Sequence, residues 1–328
     1  MLKNKKVRGA LQVLLSLVLL YLLLSRVGFG EVVGVLAGIN WAWYLLAFAI
    51  FLVNIVIRSY RWFILLHSLN NRPPFGRLLY LYFVGFFANN FIPTGFGGDV
   101  VKVVSLRQRY GHGTEALSSV VMDRLTGLVG TSLIALAALL WNAFNHTTKI
   151  ELPAGLLAVI TVFSIAIPVG FLLIRWKDPL AILVTYFRGV NQLPLYDRME
   201  RLIDTAHRYP FPTLVRALLI SLPFTLNLIL IQYSIARALS LDLPLAVFPL
   251  FVPLIALINL LPFTFNGLGL REGVYLFLFV PLGVAPEEAV AMSLAFYFLR
   301  FSAGLIGGFL YAFSTVARVL RLPRAQNL

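Results

Sequence analysis

Long apolar runs alternate with short polar segments along the whole chain. Six of the runs reach the roughly 20 residues that a helix needs to cross the apolar core of a membrane. The pattern therefore predicts an all-α polytopic membrane protein with about six full transmembrane helices. The predicted spans cover residues 9–26, 41–64, 116–141, 154–175, 212–236 and 288–316.

Two further pairs of apolar segments are too short to cross a membrane singly. The first pair covers residues 78–92 and 98–110, and the second covers 244–262 and 267–283. A break rich in proline and glycine joins the two members of each pair. We interpret each pair as a re-entrant hairpin, a broken helix that returns to the side of the membrane from which it started.

The basic residues favour this arrangement over one in which 78–92 crosses the membrane. The chain has 27 Lys and Arg residues against 13 acidic ones, and a net charge of +14. Cytoplasmic loops collect Lys and Arg, and with two hairpins most of these basic residues lie on one side. A full crossing at 78–92 would instead place the basic segment 175–216 outside. We expect a protein of the plasma membrane with both termini in the cytoplasm.

The two breaks share a sequence motif. Asn90-x-x-Pro93-x-x-Phe96-x-Gly98 corresponds to Asn259-x-x-Pro262-x-x-Phe265-x-Gly267 at a constant offset of 169 residues. The first hairpin would open from the cytoplasm and the second from outside, so the two halves would be inverted relative to each other. Inverted repeats with broken helices are typical of secondary transporters. The broken-helix residues are Asn90, Pro93, Gly97, Gly98, Asn259, Pro262, Gly267 and Gly269.

This repeat predicts a single membrane domain over residues 1–328. Repeat 1 would cover about 41–142 and repeat 2 about 212–316. Between them, residues 177–210 contain the amphipathic stretch "LYDRMERLIDTAHRY". We expect this connector to lie on the cytoplasmic leaflet as a helix.

Charged residues inside the apolar segments are the candidate functional groups. A lone Arg at the centre of a membrane costs between about 2.5 and 17 kcal/mol, so each must face a partner or a wet cavity. Arg also forms bidentate contacts with phosphate. We predict that lipid headgroups bind Arg58, Arg61, Lys102, Arg124, Arg271 and Arg300. Asp99, Asp123 and Glu272 would balance these charges or carry protons.

Structural roles remain open for some of these residues. Arg58 and Arg61 lie near the end of their span, where the side chains can reach the membrane interface. Asp99 suits the cap of a helix, and Asp123 with Arg124 suits a local ion pair.

Several functional classes find no support in the sequence. The chain has no cysteine, which excludes disulfides and thiolate metal ligands. It contains no phosphate-binding loop, no Ser/His/Asp grouping and no metal-ligand cluster. We therefore expect no cofactor, no metal and no catalytic residues, and we attribute the positive charge to membrane topology rather than to a nucleic acid partner.

Three motifs carry a resemblance to a known family. The stretches "NNFIPTGFGGDVVKV", "VVMDRLTGLVG" and "LLPFTFNGLGLREG" resemble the lysylphosphatidylglycerol synthase transmembrane region family, whose members are also called flippase-like integral membrane proteins. The resemblance implies movement of a lipid between leaflets. The cytoplasmic domain that attaches lysine in some members has no counterpart in this sequence, so the synthase activity is not expected here.

The leading hypothesis is a non-enzymatic protein that translocates a charged-headgroup lipid through a polar cavity between the two hairpins. The lipid would be an anionic phospholipid, an aminoacyl-phospholipid or a polyprenyl-phosphate. One alternative is an intramembrane transferase that uses Asp99 or Glu272 as a base. The other is a non-transporting partner of an envelope-biosynthesis enzyme.

Overall fold

The computed structural model describes most of the chain. It covers residues 2–92, 96–111, 113–144, 150, 152–176, 200, 204, 207–258 and 267–320. Within these ranges, it describes no side chains for 2–11, 174–176, 258 and 316–320.

The described residues form helices and no strands. The helices are α1 (Leu2–Val27), α2 (Phe29–Ala37), α3 (Trp41–His67), α4 (Phe75–Phe91), α5 (Gly97–Tyr110), α6 (Gly113–Phe144), α7 (Ala154–Trp176), α8 (Phe211–Ala238), α9 (Phe248–Ile258), α10 (Leu270–Phe279) and α11 (Pro286–Leu320). Short 3-10 turns precede α9 at Leu245–Val247 and follow α10 at Val280–Leu282. The prediction of an all-α polytopic membrane protein is confirmed.

The predicted spans correspond to the long helices. In the described part of the chain, five helices are long and apolar enough to cross a membrane, namely α3, α6, α7, α8 and α11, and the bent pair α1–α2 makes a sixth span. Their outer surfaces expose large apolar side chains, such as Phe144 and Phe309. A surface of this kind suits contact with lipid.

One element was missed by the sequence pattern. The chain turns by 84° between α1 and α2, at Gly28. This residue has a φ of +93°, which glycine adopts without the steric penalty that other residues incur. The second helix, Phe29–Ala37, is only 9 residues long, and its run of apolar residues is too short to register as a span.

The first short pair forms a helical hairpin, as predicted. Gly98 of α5 lies against Gly85 of α4, and Lys102, one turn further along α5, lies over the Tyr82 ring, one turn back along α4. The two helices therefore run in opposite directions. A Cβ atom on Gly98 would come within 2.5 Å of the Gly85 carbonyl oxygen, so a larger residue at position 98 would force the helices apart.

The second short pair also folds back on itself. Phe279, at the end of α10, packs against Phe248 and Phe251 at the start of α9, with ring centroids 6.1 and 5.3 Å away. Asn259 and Pro262 lie outside the described residues. Gly267 and Gly269 both have a φ of +83°, which explains the choice of glycine at the beginning of α10.

The long helices pack in a pattern that is compatible with two related halves. The central contact joins α3 to α8, while α4 packs on α11 and α6 packs on α9. These are the pairings that a two-fold relation between the repeats would generate. The inverted orientation and the repeat bounds stay predictions, and most of the predicted connector 177–210 lies outside the described residues.

Glycines bring α4 and α11 close together. A Cβ atom on Gly307 would overlap the carbonyl oxygen of Phe83, and one on Gly304 would overlap the Asn90 side chain. Small residues of this kind permit close helix packing within membranes. The Gly-Leu-x-Gly stretch of α11 therefore has a packing role.

The predicted topology can be tested with single cysteines, because the chain has none of its own. Arg109 and Asp242 are both exposed, and the inverted arrangement places Arg109 in the cytoplasm and Asp242 outside. A membrane-impermeant maleimide applied to intact cells should label the Asp242→Cys variant and leave Arg109→Cys unlabelled until the cells are opened. Equal labelling of both variants in intact cells would contradict the arrangement.

Candidate functional site

A partly open cavity of about 190 Å³ lies at the centre of the helices. Seven helices from both predicted repeats contribute to its wall. The lining residues are Phe51, Asn54, Ile55, Arg58 and Arg61 of α3; Tyr82, Gly85, Phe86 and Asn89 of α4; Gly98, Asp99 and Lys102 of α5; Arg124, Gly127, Leu128 and Thr131 of α6; Phe224, Leu228 and Gln232 of α8; Val252, Ile255 and Ala256 of α9; and Phe296 and Arg300 of α11.

Helix α3 shows how the sequence builds this wall. Phe51, Asn54, Arg58 and Arg61 recur every three or four residues, which places them on one face of the helix. From Phe51 to Arg61 the rise is about 15 Å at 1.5 Å per residue. Along α3 the lining therefore changes from apolar to amide to cationic, so that one cavity offers both apolar and charged surfaces.

A buried ion pair lies at the charged end. The Arg61 Nε–H donates to Asp123 Oδ1 at 2.7 Å, and the Tyr82 hydroxyl donates to Asp123 Oδ2 at 2.8 Å. The Arg58 Nε is 3.7 Å from the same Oδ2 atom. The Arg61 side chain is only 1% exposed, so the alternative in which it extends to the membrane interface is wrong.

The surroundings of Arg61 fit its guanidinium closely. One Nη1–H group donates to the Ser221 hydroxyl at 2.9 Å, and the Phe224 ring lies 4.9 Å from Cζ. A Cβ atom on Gly127 would come within 2.9 Å of both Nη atoms, so a larger residue at this position would displace the guanidinium. The ion pair therefore connects α3, α4, α6 and α8.

A second acidic residue enters from the first hairpin. Asp99, in the first turn of α5, forms an ion pair with Arg124, and Lys102 Nζ lies 3.6 Å from its Oδ1. Lys102 also lies 3.3 Å from the centre of the Tyr82 ring. Asp99 does not cap α5, because the Gly98 N–H instead donates to Asn89 Oδ1 at 2.7 Å.

The remaining cations, Arg58 and Arg300, line the cavity from two different helices. Arg58 on α3 is 27% exposed and its Nε atom has no hydrogen-bond acceptor. Arg300 on α11 is half-buried and lines the same cavity. Among the described residues, five cationic side chains and one carboxylate, that of Asp99, line the cavity, and Asp123 contacts two of these cations from behind the wall. Five positive and two negative charges leave an excess of three positive charges.

Two of the predicted site residues lie elsewhere. Arg271 and Glu272 are 1% and 0% exposed and do not line the cavity. The Arg271 Nε–H donates to the Ser293 hydroxyl, which itself donates to Glu272 Oε1 at 2.8 Å. Glu272 Oε2 accepts from the Gly269 N–H at 2.6 Å. This network holds the start of α10 against α11, and within the described part of the chain the buried Arg271 Nη1 atom has no hydrogen-bond acceptor.

The first broken-helix motif shapes the hairpin and its neighbour. Asn90 donates to the Phe301 carbonyl of α11 at 3.4 Å. A Cβ atom on Gly97 would come within 2.6 Å of the Ile92 side chain, so the break can fold tightly only with glycine. Pro93 lies outside the described residues.

Sequence reasoning missed several uncharged residues of the site. Tyr82 hydrogen-bonds to Asp123, Ser221 and Phe224 contact Arg61, and Asn89 and Gln232 line the cavity. Polar residues within apolar segments were a usable signal for Asn89, Ser221 and Gln232. For Tyr82 and Phe224, no such signal exists, because aromatic residues are abundant throughout this chain.

Loss of the Asp123 charge should destabilise the protein. An Asp123→Asn variant leaves the buried Arg61 guanidinium without its counter-charge, and breaking such a pair costs about 3–5 kcal/mol. An Asp242→Asn variant breaks the exposed pair with Arg237, for which about 0–1 kcal/mol is expected. Thermal unfolding in detergent should show a much lower midpoint for Asp123→Asn only. Similar midpoints for the two variants would contradict the proposed role of the pair.

Comparison with known proteins places the chain in a family. The family described as lysylphosphatidylglycerol synthase TM region matches residues 9–308. A UPF0104 membrane protein of Methanothermobacter thermautotrophicus is 26% identical over 317 residues, which cover 90% of each chain. A UPF0104 membrane protein of Pyrococcus horikoshii is 23% identical over 164 residues, which cover 49% of each chain. Because the family match extends over most of its length, this protein belongs to the lysylphosphatidylglycerol synthase TM region family.

Proposed function

We propose that this protein translocates lipids with negatively charged headgroups between the leaflets of the plasma membrane. The headgroup passes through the central cavity while the acyl or prenyl chains stay in the surrounding lipid. The observation that carries the proposal is the group of five cationic side chains around a single cavity between membrane helices.

Electrostatics favours an anionic cargo. Uncompensated charge at membrane depth is costly and is found where it faces water or a ligand. Two carboxylates are shared among four of these cations, with Arg58 and Arg61 beside Asp123 and with Lys102 and Arg124 beside Asp99, so positive charge is in excess. The remaining positive charge attracts an anion and lowers the energy of a phosphate group in the cavity, because Arg donates two parallel hydrogen bonds to phosphate oxygens.

The mixed lining suits a lipid better than a small free ion. Asn54, Asn89 and Gln232 offer polar contacts, while Ile255 and Phe296 provide apolar surface in the same cavity. An amphiphilic molecule satisfies both kinds of wall, since its headgroup contacts the polar side chains and the first carbons of its tail contact the apolar ones. Family membership also favours a lipid cargo, because the family is described as the TM region of a lysylphosphatidylglycerol synthase, a protein of lipid metabolism.

The two hairpins offer a route for alternating access. Repeats of opposite orientation around a site at mid-membrane expose it to the two sides in turn when one half rocks against the other. Arg58 and Arg300, one from each predicted repeat, would then hold the headgroup between the halves. No nucleotide-binding motif occurs in the sequence, so the movement is passive or is driven by an ion gradient, with Asp99 as the carboxylate that faces the cavity.

The transferase alternative receives less support from the geometry. Its candidate bases were Asp99 and Glu272. Asp99 is paired with Arg124 and Lys102, and Glu272 accepts hydrogen bonds from Ser293 and Gly269 outside the cavity. These contacts occupy carboxylate oxygens that a general base needs for taking a proton from its substrate.

Reconstituted vesicles provide the test. Purified protein in liposomes should speed up the movement of fluorescent anionic lipids from the inner to the outer leaflet without added nucleotide, measured by chemical quenching of the outer leaflet. Arg58→Gln and Arg300→Gln should each lower the rate about tenfold or more, since each removes a direct phosphate contact worth at least about 1.4 kcal/mol. Arg109→Gln, an exposed cation away from the cavity, is the matched control.

Rates equal to those of protein-free vesicles, for a panel that includes phospholipids and polyprenyl-phosphates, would overturn the proposal. An equal loss of rate in the Arg109→Gln control would show that net charge, and not the cavity, is responsible.

A further inference from the structure

We infer that Arg271 is a further headgroup-binding residue, which an anionic headgroup reaches when the Phe296 ring moves away from its place between this arginine and the cavity. The inference rests on the proposed function and adds one residue and a gate to the same site. It is carried by the position of Arg271 behind the cavity wall, by its unused hydrogen-bond donors and by its place in the sequence repeat.

Arg271 lies behind an aromatic ring of the cavity wall. Phe296 lines the cavity, and the Arg271 Cζ atom is 5.9 Å from the centre of its ring. Phe51 of α3, which also lines the cavity, packs edge-on against the same ring at a centroid distance of 6.4 Å. Arg271 itself is 1% exposed. The guanidinium is therefore about one ring away from the cavity, and a displacement of Phe296 would join the two.

Arg271 still has hydrogen-bond donors to offer. Its Nε–H donates to the Ser293 hydroxyl and its Nη2 group contacts Glu272 Oε1 at 3.4 Å. In the part of the chain that the structure describes, the buried Nη1 atom has no hydrogen-bond acceptor. Buried donors of this kind are nearly always paired in proteins. The Nη1 group can therefore bind an oxygen of a ligand without losing a contact to the protein.

The acidic partner of Arg271 is held independently of it. Glu272 Oε1 accepts from the Ser293 hydroxyl at 2.8 Å, and Oε2 accepts from the Gly269 N–H at 2.6 Å. Both contacts are shorter than the one with Arg271. A movement of the guanidinium toward the cavity leaves these two hydrogen bonds in place, so α10 stays attached to α11 while Arg271 binds a ligand.

The sequence repeat gives Arg271 an equivalent that faces the cavity. Lys102 lies four residues after Gly98, and Arg271 lies four residues after Gly267, the matching glycine of the second motif. Lys102 lines the cavity, whereas Arg271 lies behind Phe296. In transporters with inverted repeats, one half moves against the other and the site opens to the two sides in turn. On the predicted repeat, Arg271 would take the place of Lys102 when the cavity opens to the opposite side.

The ligand that suits this group is an oxyanion. An Arg guanidinium donates parallel hydrogen bonds to phosphate oxygens, whereas it would repel the ammonium of a cationic headgroup. A phosphate group has this chemistry both in a lipid and as a free ion, so the experiment must include both.

The coupling between Arg271 and Phe296 provides the test. The full-length protein in detergent is titrated with dihexanoyl phosphatidic acid and, separately, with inorganic phosphate. Phe296→Ala should raise the affinity for the lipid roughly tenfold, because the Nη1 group becomes reachable and gains a charge-assisted hydrogen bond. In an Arg271→Gln background the same substitution should leave the affinity nearly unchanged. A second background, Arg271→Gln with Glu272→Gln, avoids an unpaired buried carboxylate and should give the same result.

Phe51→Ala is the matched control. It removes a ring of the same size from the cavity wall, but Phe51 does not contact Arg271 in the described structure, where the rings near its guanidinium are those of Phe296 and Tyr297. Any effect of Phe51→Ala on affinity should be the same with and without Arg271. Because each readout is a dissociation constant of folded protein, a partial loss of folded protein does not imitate the coupling.

Each result has a defined meaning. An equal gain of affinity with and without Arg271, or no gain for Phe296→Ala alone, overturns the inference, even if the unmodified protein translocates lipids in vesicles. A gain that requires Arg271, without translocation in vesicles, supports the binding role and contradicts the proposed function. If inorganic phosphate shows the same Arg271-dependent gain and binds as tightly as the lipid, the site serves a free anion and the lipid assignment is overturned.

Discussion

The buried ion pair between Arg61 and Asp123 is the interaction on which the site depends. It joins α3 to α6, recruits Tyr82 from α4 and Ser221 from α8, and is closed by the glycine at position 127. Two buried charges are tolerated here because each is the partner of the other and because each also has a hydrogen bond to a hydroxyl group, Arg61 to Ser221 and Asp123 to Tyr82. Four helices are thereby fixed around a common point, and Arg58 is held at the edge of the cavity beside them.

The first hairpin, α4 and α5, contributes the second ion pair of the cavity. Its tight Gly85–Gly98 contact brings α5 far enough into the bundle for Asp99 to reach Arg124 and for Lys102 to lie over Tyr82. A helix that continued straight on from α4 could not bring Asp99 and Lys102 back beside Tyr82, which explains why the chain interrupts an apolar segment at this point. The break in the helix therefore serves to bring cationic side chains to a cavity that lies between apolar helices.

Hydropathy was sufficient to predict the spans, because a helix that crosses a membrane needs a long apolar run. The Pro/Gly break was sufficient to predict the first hairpin, because these residues restrict the backbone and interrupt a helix. They were also sufficient to identify Arg58, Arg61, Lys102, Arg124 and Arg300 as inward-facing. The pairing of these residues was not predictable. Arg271 shows the reason. Like Arg124, it follows or precedes an acidic residue within an apolar segment, yet it does not line the cavity, because it donates to Ser293, which lies 22 residues later in α11. Which residues complete such a network is decided by packing between distant segments, and the single sequence contains no signal for it.

The central claim is that a positively charged, water-accessible cavity exists within the membrane, and its electrostatic potential can be measured. Ala256 of α9 lines the cavity and is half-buried, and in this cysteine-free chain an Ala256→Cys variant presents a single thiol. For this thiol, we expect a high ratio of the reaction rate with an anionic methanethiosulfonate to the rate with a cationic one of similar size. The ratio should be higher than the same ratio measured for an exposed Asp242→Cys reference. If the thiol reacts with neither reagent, or reacts faster with the cationic one, the cavity is sealed or is not positive, and the account is contradicted.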